Sequence, residues 1–321
     1  MSERLTLRPI PSWLGRVWSQ AAMRSDAACK RFTEQAGLFT RVLAHAEAAG
    51  DTAPWVTPLW EGFNAKAADR LCPVPPTDFL SIGVIRQSMF VDQRGDWLKA
   101  LRERVPELLK HVQLATSQRD WLTDPALGRP VPAVRRPRTS HNTLHHAHHL
   151  LQCAGETGTT PWETSSIIEW GGGFGNLARL IMSATDSPPA YTIIDTPLFV
   201  ALQWAYLSAI FGGDRVGLRT SAAEAEPDRG NISLVPVAAV SEINLTAELL
   251  VSTWALSECP AAVQARVAND FAWFGADRLL LASQDPSEVL PDAGCMRELA
   301  TEAGATTTAI DFLPGNSYSF K

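Results

Sequence analysis

The chain has 321 residues, of which 45% are hydrophobic and 19% are charged, and its formal net charge is −6. That length can form one large domain or two modest ones, each with its own hydrophobic core. The mild acidity argues against a general nucleic-acid-binding protein, which would normally carry a basic face. No apolar run reaches the roughly eighteen residues needed to span a bilayer, so we expect no membrane span.

The five cysteines are scattered along the chain and form no Cys-x-x-Cys pair. An odd number of isolated cysteines is typical of a protein whose thiols stay reduced. The first residues, from Met1 to Pro9, lack the apolar core of a secretion signal. We therefore expect the protein to be cytoplasmic.

Residues 1–138 are expected to form a mainly helical region that ends in a connector. Ala21–Ala49 is an alanine-rich amphipathic stretch closed by Gly50, and Asp96–Ala115 carries a second apolar stripe at helical spacing. Residues 128–138 are rich in proline, which removes hydrogen-bond donors and stiffens the chain. This segment is therefore predicted to be an extended connector.

The connector also contains four arginines, namely Arg129, Arg135, Arg136 and Arg138. Guanidinium groups suit phosphate oxygens, so they could hold the phosphate of a nucleotide sugar or a lipid-linked carrier. A solvated linker is the alternative interpretation of the same run.

In residues 139–321, short apolar runs alternate with helical segments. The runs predict strands at Ile167–Trp170, Tyr191–Asp195, Ile232–Val237, Leu249–Thr253 and Arg278–Ser283. Such alternation is typical of an α/β domain with a parallel sheet and helices on both faces. Thr306–Phe312 and Ser317–Lys321 flank a Pro-Gly-Asn turn, which predicts a closing antiparallel hairpin.

A glycine-dense turn follows the first of these strands. Glu169 stands at the strand end, and Gly171, Gly173 and Gly175 then occupy alternate positions. Glycine lets the backbone approach a ligand where a Cβ would collide, and open α/β sheets bind nucleotide-like ligands at the carboxyl ends of their strands. The dinucleotide fingerprint does not fit, because Asn176 stands where its last glycine should be, and no phosphate-binding P-loop motif occurs.

Asp195 ends the second predicted strand, about twenty residues beyond the glycine turn. A carboxylate in that place is the usual partner of a ribose diol. The alternative is an ordinary strand-ending acid that caps the following helix. Together, the two features predict a nucleoside-binding site.

The segment Glu169–Gly175 resembles motif I of class I S-adenosylmethionine-dependent methyltransferases, and Tyr191–Pro197 is similar to their second-strand motif. Leu249–Pro260 is similar to the fourth strand and following loop of bacterial proteins classed as putative sugar O-methyltransferases, although Cys259 replaces the methionine usual there. The resemblance covers about Ser165–Lys321. It implies a Rossmann-like class I methyltransferase sheet, parallel apart from its C-terminal antiparallel hairpin.

The resemblance also implies a function, which is methyl transfer from S-adenosylmethionine to a hydroxyl of a sugar, nucleotide sugar, glycoside or related small molecule. Residues 139–321 would bind the cofactor, while residues 1–138 would shape the acceptor pocket and could supply a homodimer contact. Val237–Ala239 would lie near the adenine. The implied cofactor-binding residues are Glu169, Gly171, Gly172, Gly173, Phe174, Gly175, Asp195, Thr196, Val237, Ala238 and Thr253.

Such a reaction needs a base, because a sugar hydroxyl is a poor nucleophile until its proton is removed. Glu258 is the first candidate, since it follows the fourth predicted strand and the similar family's loop faces the acceptor. The alternative is a carboxylate that complements the dipole of a helix predicted over Ala261–Phe274.

A histidine cluster supplies further candidates. Five of the seven histidines lie between His141 and His149, on a helix that Ser140 can cap. The candidate bases are His141, His145 and His149, since imidazole titrates near neutral pH. Their spacing could also hold a metal, although no carboxylate completes a ligand set, and we expect none. A solvated polar face is the remaining interpretation.

Two rival functions stay open at this point. One is O-methylation of a non-sugar natural product, such as an aromatic or polyketide hydroxyl. Members of that class often use a histidine after the fourth strand, and this chain has none there. The other is a non-catalytic relative that binds the cofactor as a scaffold.

Overall fold

A computed structural model describes Met23, residues 26–89, Glu103, residues 121–134 and residues 138–321. Apart from Glu103, the helix predicted over Asp96–Ala115 lies outside the described residues, as do Arg135 and Arg136. No helix in the described part of the chain is long and apolar enough to cross a membrane.

The described N-terminal region is mainly helical, as predicted. Its helices are α1 (Ala27–Gln35), α2 (Phe39–Glu47), α3 (Pro58–Leu71) and α4 (Gly83–Ser88). The stretch predicted as one helix is divided by a 3₁₀ turn over Ala36–Leu38, which contains Gly37. A glycine costs helix stability, and the turn buries Phe39 against the core.

The connector contributes to a small two-stranded sheet that the sequence did not predict. Strand β1 (Pro132–Val134) pairs antiparallel with β2 (Thr139–Ser140). Helix α5 (His141–Thr157) follows directly, and the Ser140 side chain caps it by accepting a hydrogen bond from the Thr143 amide at 3.2 Å.

The main sheet has eight strands. They are β3 (Ser166–Trp170), β4 (Ala190–Asp195), β5 (Val216–Leu218), β6 (Ile232–Pro236), β7 (Leu249–Thr253), β8 (Arg278–Gln284), β9 (Thr306–Ala309) and β10 (Asn316–Phe320). The connecting helices are α6 (Asn176–Met182), α7 (Pro197–Phe211), α8 (Ala261–Ala265) and α9 (Cys295–Glu302).

The strand order across this sheet is β5-β6-β4-β3-β7-β8-β10-β9. Neighbours from β5 to β8 run parallel, while β10 runs antiparallel to both β8 and β9. This confirms the predicted sheet, which is parallel apart from its closing antiparallel hairpin. Only the short edge strand β5 was not predicted.

Side-chain alternation along the strands builds a core on each face of the sheet. Ile167 and Ile193 belong to the cluster that includes α5, α6, α7 and the N-terminal Phe32 and Phe79. Ile168 belongs to the opposite cluster, which also takes in Trp55 of the N-terminal region. Both cores therefore contain residues from each side of the predicted boundary at residue 138.

The helix predicted over Ala261–Phe274 is wrong in its second half. Helix α8 ends at Ala265, a π-helical turn covers Arg266–Asp270, and Ala272, Trp273 and Phe274 then adopt positive φ of 46°, 54° and 57°. The left-handed turn places the rings of Trp273 and Phe274 in the core. Tertiary burial thus overrides the local helical pattern.

A buried polar network fixes the start of α6 to the preceding elements. Arg179 donates to Asp124 at 3.2 Å and to the Thr143 hydroxyl at 3.0 Å. Asp124 also accepts hydrogen bonds from the Ser140 amide and the Thr143 hydroxyl. Since Arg179 and Asp124 are each only 3% exposed, loss of one partner would leave a buried charge uncompensated.

We expect Arg179→Met to lower the free energy of unfolding by about 3–5 kcal/mol. The matched control is Arg278→Met, which breaks the more exposed ion pair with Glu248 and should cost about 1 kcal/mol or less. Urea unfolding of the two variants measures the difference. Equal losses would contradict a special role for the buried pair.

Candidate functional site

A cavity lies at the carboxyl ends of the central strands β3, β4 and β7, where open α/β sheets bind their ligands. Its volume is about 1060 Å³, including the part that is open to solvent. The N-terminal region contributes Trp55, Val56, Trp60 and Met89 to the wall, so the cavity lies between that region and the sheet.

The glycine turn forms one side of the cavity. Gly171 has a φ of 78°, and its amide donates to the Ile194 carbonyl at 2.8 Å. A Cβ at Gly171 would overlap that of Ala255, and one at Gly172 would meet the Ile193 side chain. The turn can therefore pack this closely against Ala255 and Ile193 only because these two positions lack side chains.

Hydrogen-bond donors from the backbone and from α7 hold Asp195 in place. Its Oδ1 accepts from the Thr196 amide at 2.7 Å, and its Oδ2 accepts from Gln203 Nε2 at 2.7 Å. Gln203 also donates to the Gly173 carbonyl at 2.8 Å, so it ties the acid to the glycine turn. Gln203 lies in α7, and nothing in the sequence pattern singled it out.

Glu169 is only 2% exposed and accepts a hydrogen bond from the Tyr191 hydroxyl at 2.9 Å. Burial raises the pKa of Glu169 to about 8, against the effect of the Tyr191 hydrogen bond and with a further increase from Asp195. Burial likewise raises the pKa of Asp195 to about 7, although hydrogen bonds from Thr196, Gln203 and the glycine turn oppose it. Ionisation of Glu169 and Asp195 at the same time is therefore unfavourable.

Glu258 lines the same cavity, beyond the end of β7. Its Oε2 accepts from the indole N–H of Trp60 at 2.7 Å, and its Oε1 accepts from Gln284 Nε2 at 3.3 Å. Burial raises the pKa of Glu258, and these two hydrogen bonds act against that increase. The carboxylate is thus bound by side chains of α3 and β8 instead of the start of α8.

Most of the residues proposed from the sequence come together in this cavity. Those that line it are Glu169, Gly171, Gly172, Gly173, Phe174, Asp195, Thr196, Val237, Thr253, His145 and Glu258. Four others stand back from the wall defined by the described residues, namely Gly175, Ala238, His141 and His149. Gly175 caps α6 against Leu207, and Ala238 lies against Gly50 of the N-terminal region.

The histidine helix is buried, so the interpretation as a solvated face is wrong. His141, His145, His148 and His149 are each less than 5% exposed. His145 and His146 reach the cavity, whereas the Nδ1 atoms of His148 and His149 lie 3.0 and 2.5 Å from the Tyr318 hydroxyl. Burial lowers the pKa of His145 and His149 well below the ordinary value, and that of His146 to about 3.

Within the described ranges, no group of three or more histidine, cysteine, aspartate or glutamate side chains is placed to hold a metal ion. The absence of a catalytic metal stays a prediction, to be tested by assay after chelation.

The buried Glu169 makes the stability of the protein depend on pH. Its folded pKa, about 8, exceeds the ordinary value of 4.5, so the folded state binds more protons between those values. Stability should therefore fall as pH rises from about 5 to 8. We expect Glu169→Gln to reduce this fall by on the order of 1–2 kcal/mol, measured by urea unfolding at both pH values.

The control for that experiment is Glu156→Gln, which changes an exposed glutamate of α5 and should leave the pH dependence as it is in the natural protein. A fall of the same size in Glu169→Gln would show that Glu169 is not the group that titrates.

No protein-family model matches the chain, and no curated protein matches its sequence. Solved structures do resemble it. The pyocyanin biosynthetic protein PhzM is 16% identical, with a TM-score of 0.38 over 58% of this chain and 57% of that one. The match thus spans little more than half the length of PhzM.

Two further structures illustrate the range of these similarities. The O-methyltransferase NcsB1 from neocarzinostatin biosynthesis, solved with S-adenosyl-L-homocysteine and 1,4-dihydroxy-2-naphthoic acid, is 16% identical, with a TM-score of 0.35 over 56% of this chain and 55% of that one. The magnesium protoporphyrin IX methyltransferase ChlM from Synechocystis PCC 6803, solved with S-adenosylmethionine, is 11% identical, with a TM-score of 0.37 over 76% and 93%. The strand order of the main sheet defines the fold of the present chain.

Proposed function

We propose that the chain is an S-adenosylmethionine-dependent O-methyltransferase that acts on a hydroxyl of a sugar or sugar-containing metabolite. The observation that carries the proposal is one cavity that joins the glycine turn, Glu169 and Asp195 to a further carboxyl group, that of Glu258. The residues that we propose for nucleoside binding and the candidate base thus line the same cavity. A scaffold that only bound the cofactor would not need the second feature.

The cofactor half of the cavity suits the chemistry of S-adenosylmethionine. Asp195 would accept hydrogen bonds from the ribose hydroxyls, Val237 would contact the adenine, and the turn from Gly171 to Gly173 would border the methionine part. A sulfonium and an amino group on the ligand would favour the ionised forms of Glu169 and Asp195, which burial alone disfavours. When bound, that cofactor supplies an electrophilic methyl group.

The acceptor half has aromatic walls, formed by Trp60, Phe199 and Trp254. Such rings pack well on the apolar face of a sugar. Among the described residues that line the cavity, none is lysine or arginine. In the connector, Arg129 pairs with Asp78, and Arg138 donates to the Asp124 carbonyl. A neutral glycoside therefore fits this half better than a nucleotide sugar.

The same aromatic walls favour one second candidate, a phenolic acceptor of the non-sugar class, because a planar ring could stack against them. In either case Glu258 would remove the proton of the acceptor hydroxyl as the methyl group is transferred. His145, which also lines the cavity and is kept neutral by its burial, is the alternative base.

Cofactor binding is the first test. We expect S-adenosylmethionine to bind with micromolar affinity in calorimetry, and Asp195→Asn to weaken binding by about tenfold or more, since charge-assisted hydrogen bonds are lost. Asp277→Asn is the control, because Asp277 is an exposed acid that directly precedes β8, at the end of that strand far from the cavity. Unaltered affinity in Asp195→Asn would remove that residue from the ribose site.

Methyl transfer is the second test. The purified protein is incubated with methyl-labelled cofactor and with neutral glycosides, nucleotide sugars and phenols, before and after exhaustive chelation. On the preferred acceptor we expect Glu258→Gln to lower kcat by about 10²–10⁴ with little change in cofactor affinity. Glu302→Gln, at an exposed position, is the control.

Three outcomes would revise the proposal. Preference for phenols would replace the sugar by the second candidate, and a large loss in His145→Ala with none in Glu258→Gln would move the base to the histidine. Cofactor binding without transfer to any hydroxyl would indicate a scaffold.

A further inference from the structure

Helix α3 of the N-terminal region lies across the carboxyl ends of two strands of the sheet. The Thr57 hydroxyl donates to the Glu258 carbonyl at 3.3 Å, and the Thr196 hydroxyl donates to Asn64 Oδ1 at 3.2 Å. Trp60 lies between these two attachments, in the first turn of α3. Its backbone is therefore fixed relative to the ends of both β4 and β7.

Aromatic neighbours fix the ring of Trp60 as well. Phe199 meets it edge-on, with ring centroids 6.1 Å apart and an angle of 81°, and Phe63 packs against it at 5.6 Å. Such contacts restrict the rotamers that the indole can adopt. The N–H is consequently aimed at one place, which is Oε2 of Glu258, at 2.7 Å.

The chemistry of the two partners makes this contact selective for one protonation state. An indole nitrogen donates and cannot accept, and the Gln284 amide nitrogen that reaches the other oxygen of Glu258 is also a donor. A carboxylate accepts at both oxygens, so these donors favour its ionised form. The ionised form is the one that can take a proton from a hydroxyl.

We propose that Trp60 is a positioning residue for Glu258: its indole N–H orients the carboxylate and keeps it ionised within the cavity. The inference rests on the proposed function, in which Glu258 is the base. The bond formed by that step is O–H on Glu258, as the acceptor oxygen gives up its proton and takes the methyl group from the sulfonium. Trp60, in the N-terminal region, thus controls the protonation state of Glu258, which follows strand β7 of the sheet.

Several other titratable groups share the cavity with Glu258. Glu169 and Asp195 have raised pKa values, His145 and His146 have lowered ones, and burial raises the pKa of the adjacent Cys259 thiol to about 12. A rate profile alone would mix these titrations. The test therefore needs a signal from Glu258 itself.

Carbon-13 NMR of the side-chain carboxyl carbon provides that signal. The Glu258 resonance is assigned in glutamate-labelled full-length protein as the one that Glu258→Gln removes, and its titration midpoint is measured without any acceptor. Trp60→Phe keeps an aromatic ring but loses the N–H, so we expect the midpoint to rise by about one pH unit, as the loss of one hydrogen bond to a charged group requires.

Trp55→Phe is the matched control, because Trp55 lines the same cavity but packs on Trp170 and Phe271. Its Glu258 midpoint should equal that of the natural protein. Gln284→Met removes the longer hydrogen bond and should raise the midpoint less than Trp60→Phe does. If Trp60→Phe does not fold, as judged by its unfolding transition, a midpoint unmoved in Gln284→Met would overturn the inference.

Kinetics on the preferred acceptor complete the test. In Trp60→Phe, the acid limb of the kcat profile should move upward with the NMR midpoint, and adding this change to Glu258→Gln should cause no further loss. An unmoved midpoint in a folded Trp60→Phe protein would overturn the positioning role alone. A shifted midpoint together with full activity of Glu258→Gln would overturn the proposed base and leave the contact intact.

Discussion

Two acids, Glu169 and Asp195, are enclosed at the ends of neighbouring strands, and the surrounding structure must supply hydrogen-bond donors for them. Tyr191 donates a hydrogen bond to Glu169, and Gln203 and the Thr196 amide each donate one to Asp195. Burial still raises the pKa of both acids, so the protein donors offset only part of the desolvation. A ligand that carries positive charge and hydroxyl donors would offset the remaining desolvation of the two acids.

Two regions of the chain contribute to the cavity. Asp195 and the glycine turn belong to the sheet and follow from the ends of β3 and β4. The lining also includes Trp60 and Met89, which belong to the N-terminal region. In the proposed enzyme, the sheet would bind the cofactor, while Trp60 of the N-terminal region would join Phe199 and Trp254 around the acceptor and tune the base.

This division also explains what could be predicted from the sequence. The strand ends, with Glu169 and Asp195 beside the glycine turn, have a local signature, because each depends on a run of a few residues. Trp60, Gln203 and Gln284 have none, since their side chains reach the site only through the packing of helices and strands. The expectation of a solvated histidine face was wrong for a related reason. A polar stripe at helical spacing shows periodicity, but only tertiary packing shows that Tyr318, on a strand of the hairpin, lies against it.

The shared core has a practical consequence for dissecting the molecule. Phe32, Phe39 and Phe79 are buried against the same cluster as α7, and Trp55 belongs to the cluster on the opposite face. Cutting the chain at residue 138 would strip both faces of the sheet at once and expose broad apolar surfaces to water. The half that carries the glycine turn should therefore aggregate when produced alone, and the two regions are better treated as one folding unit.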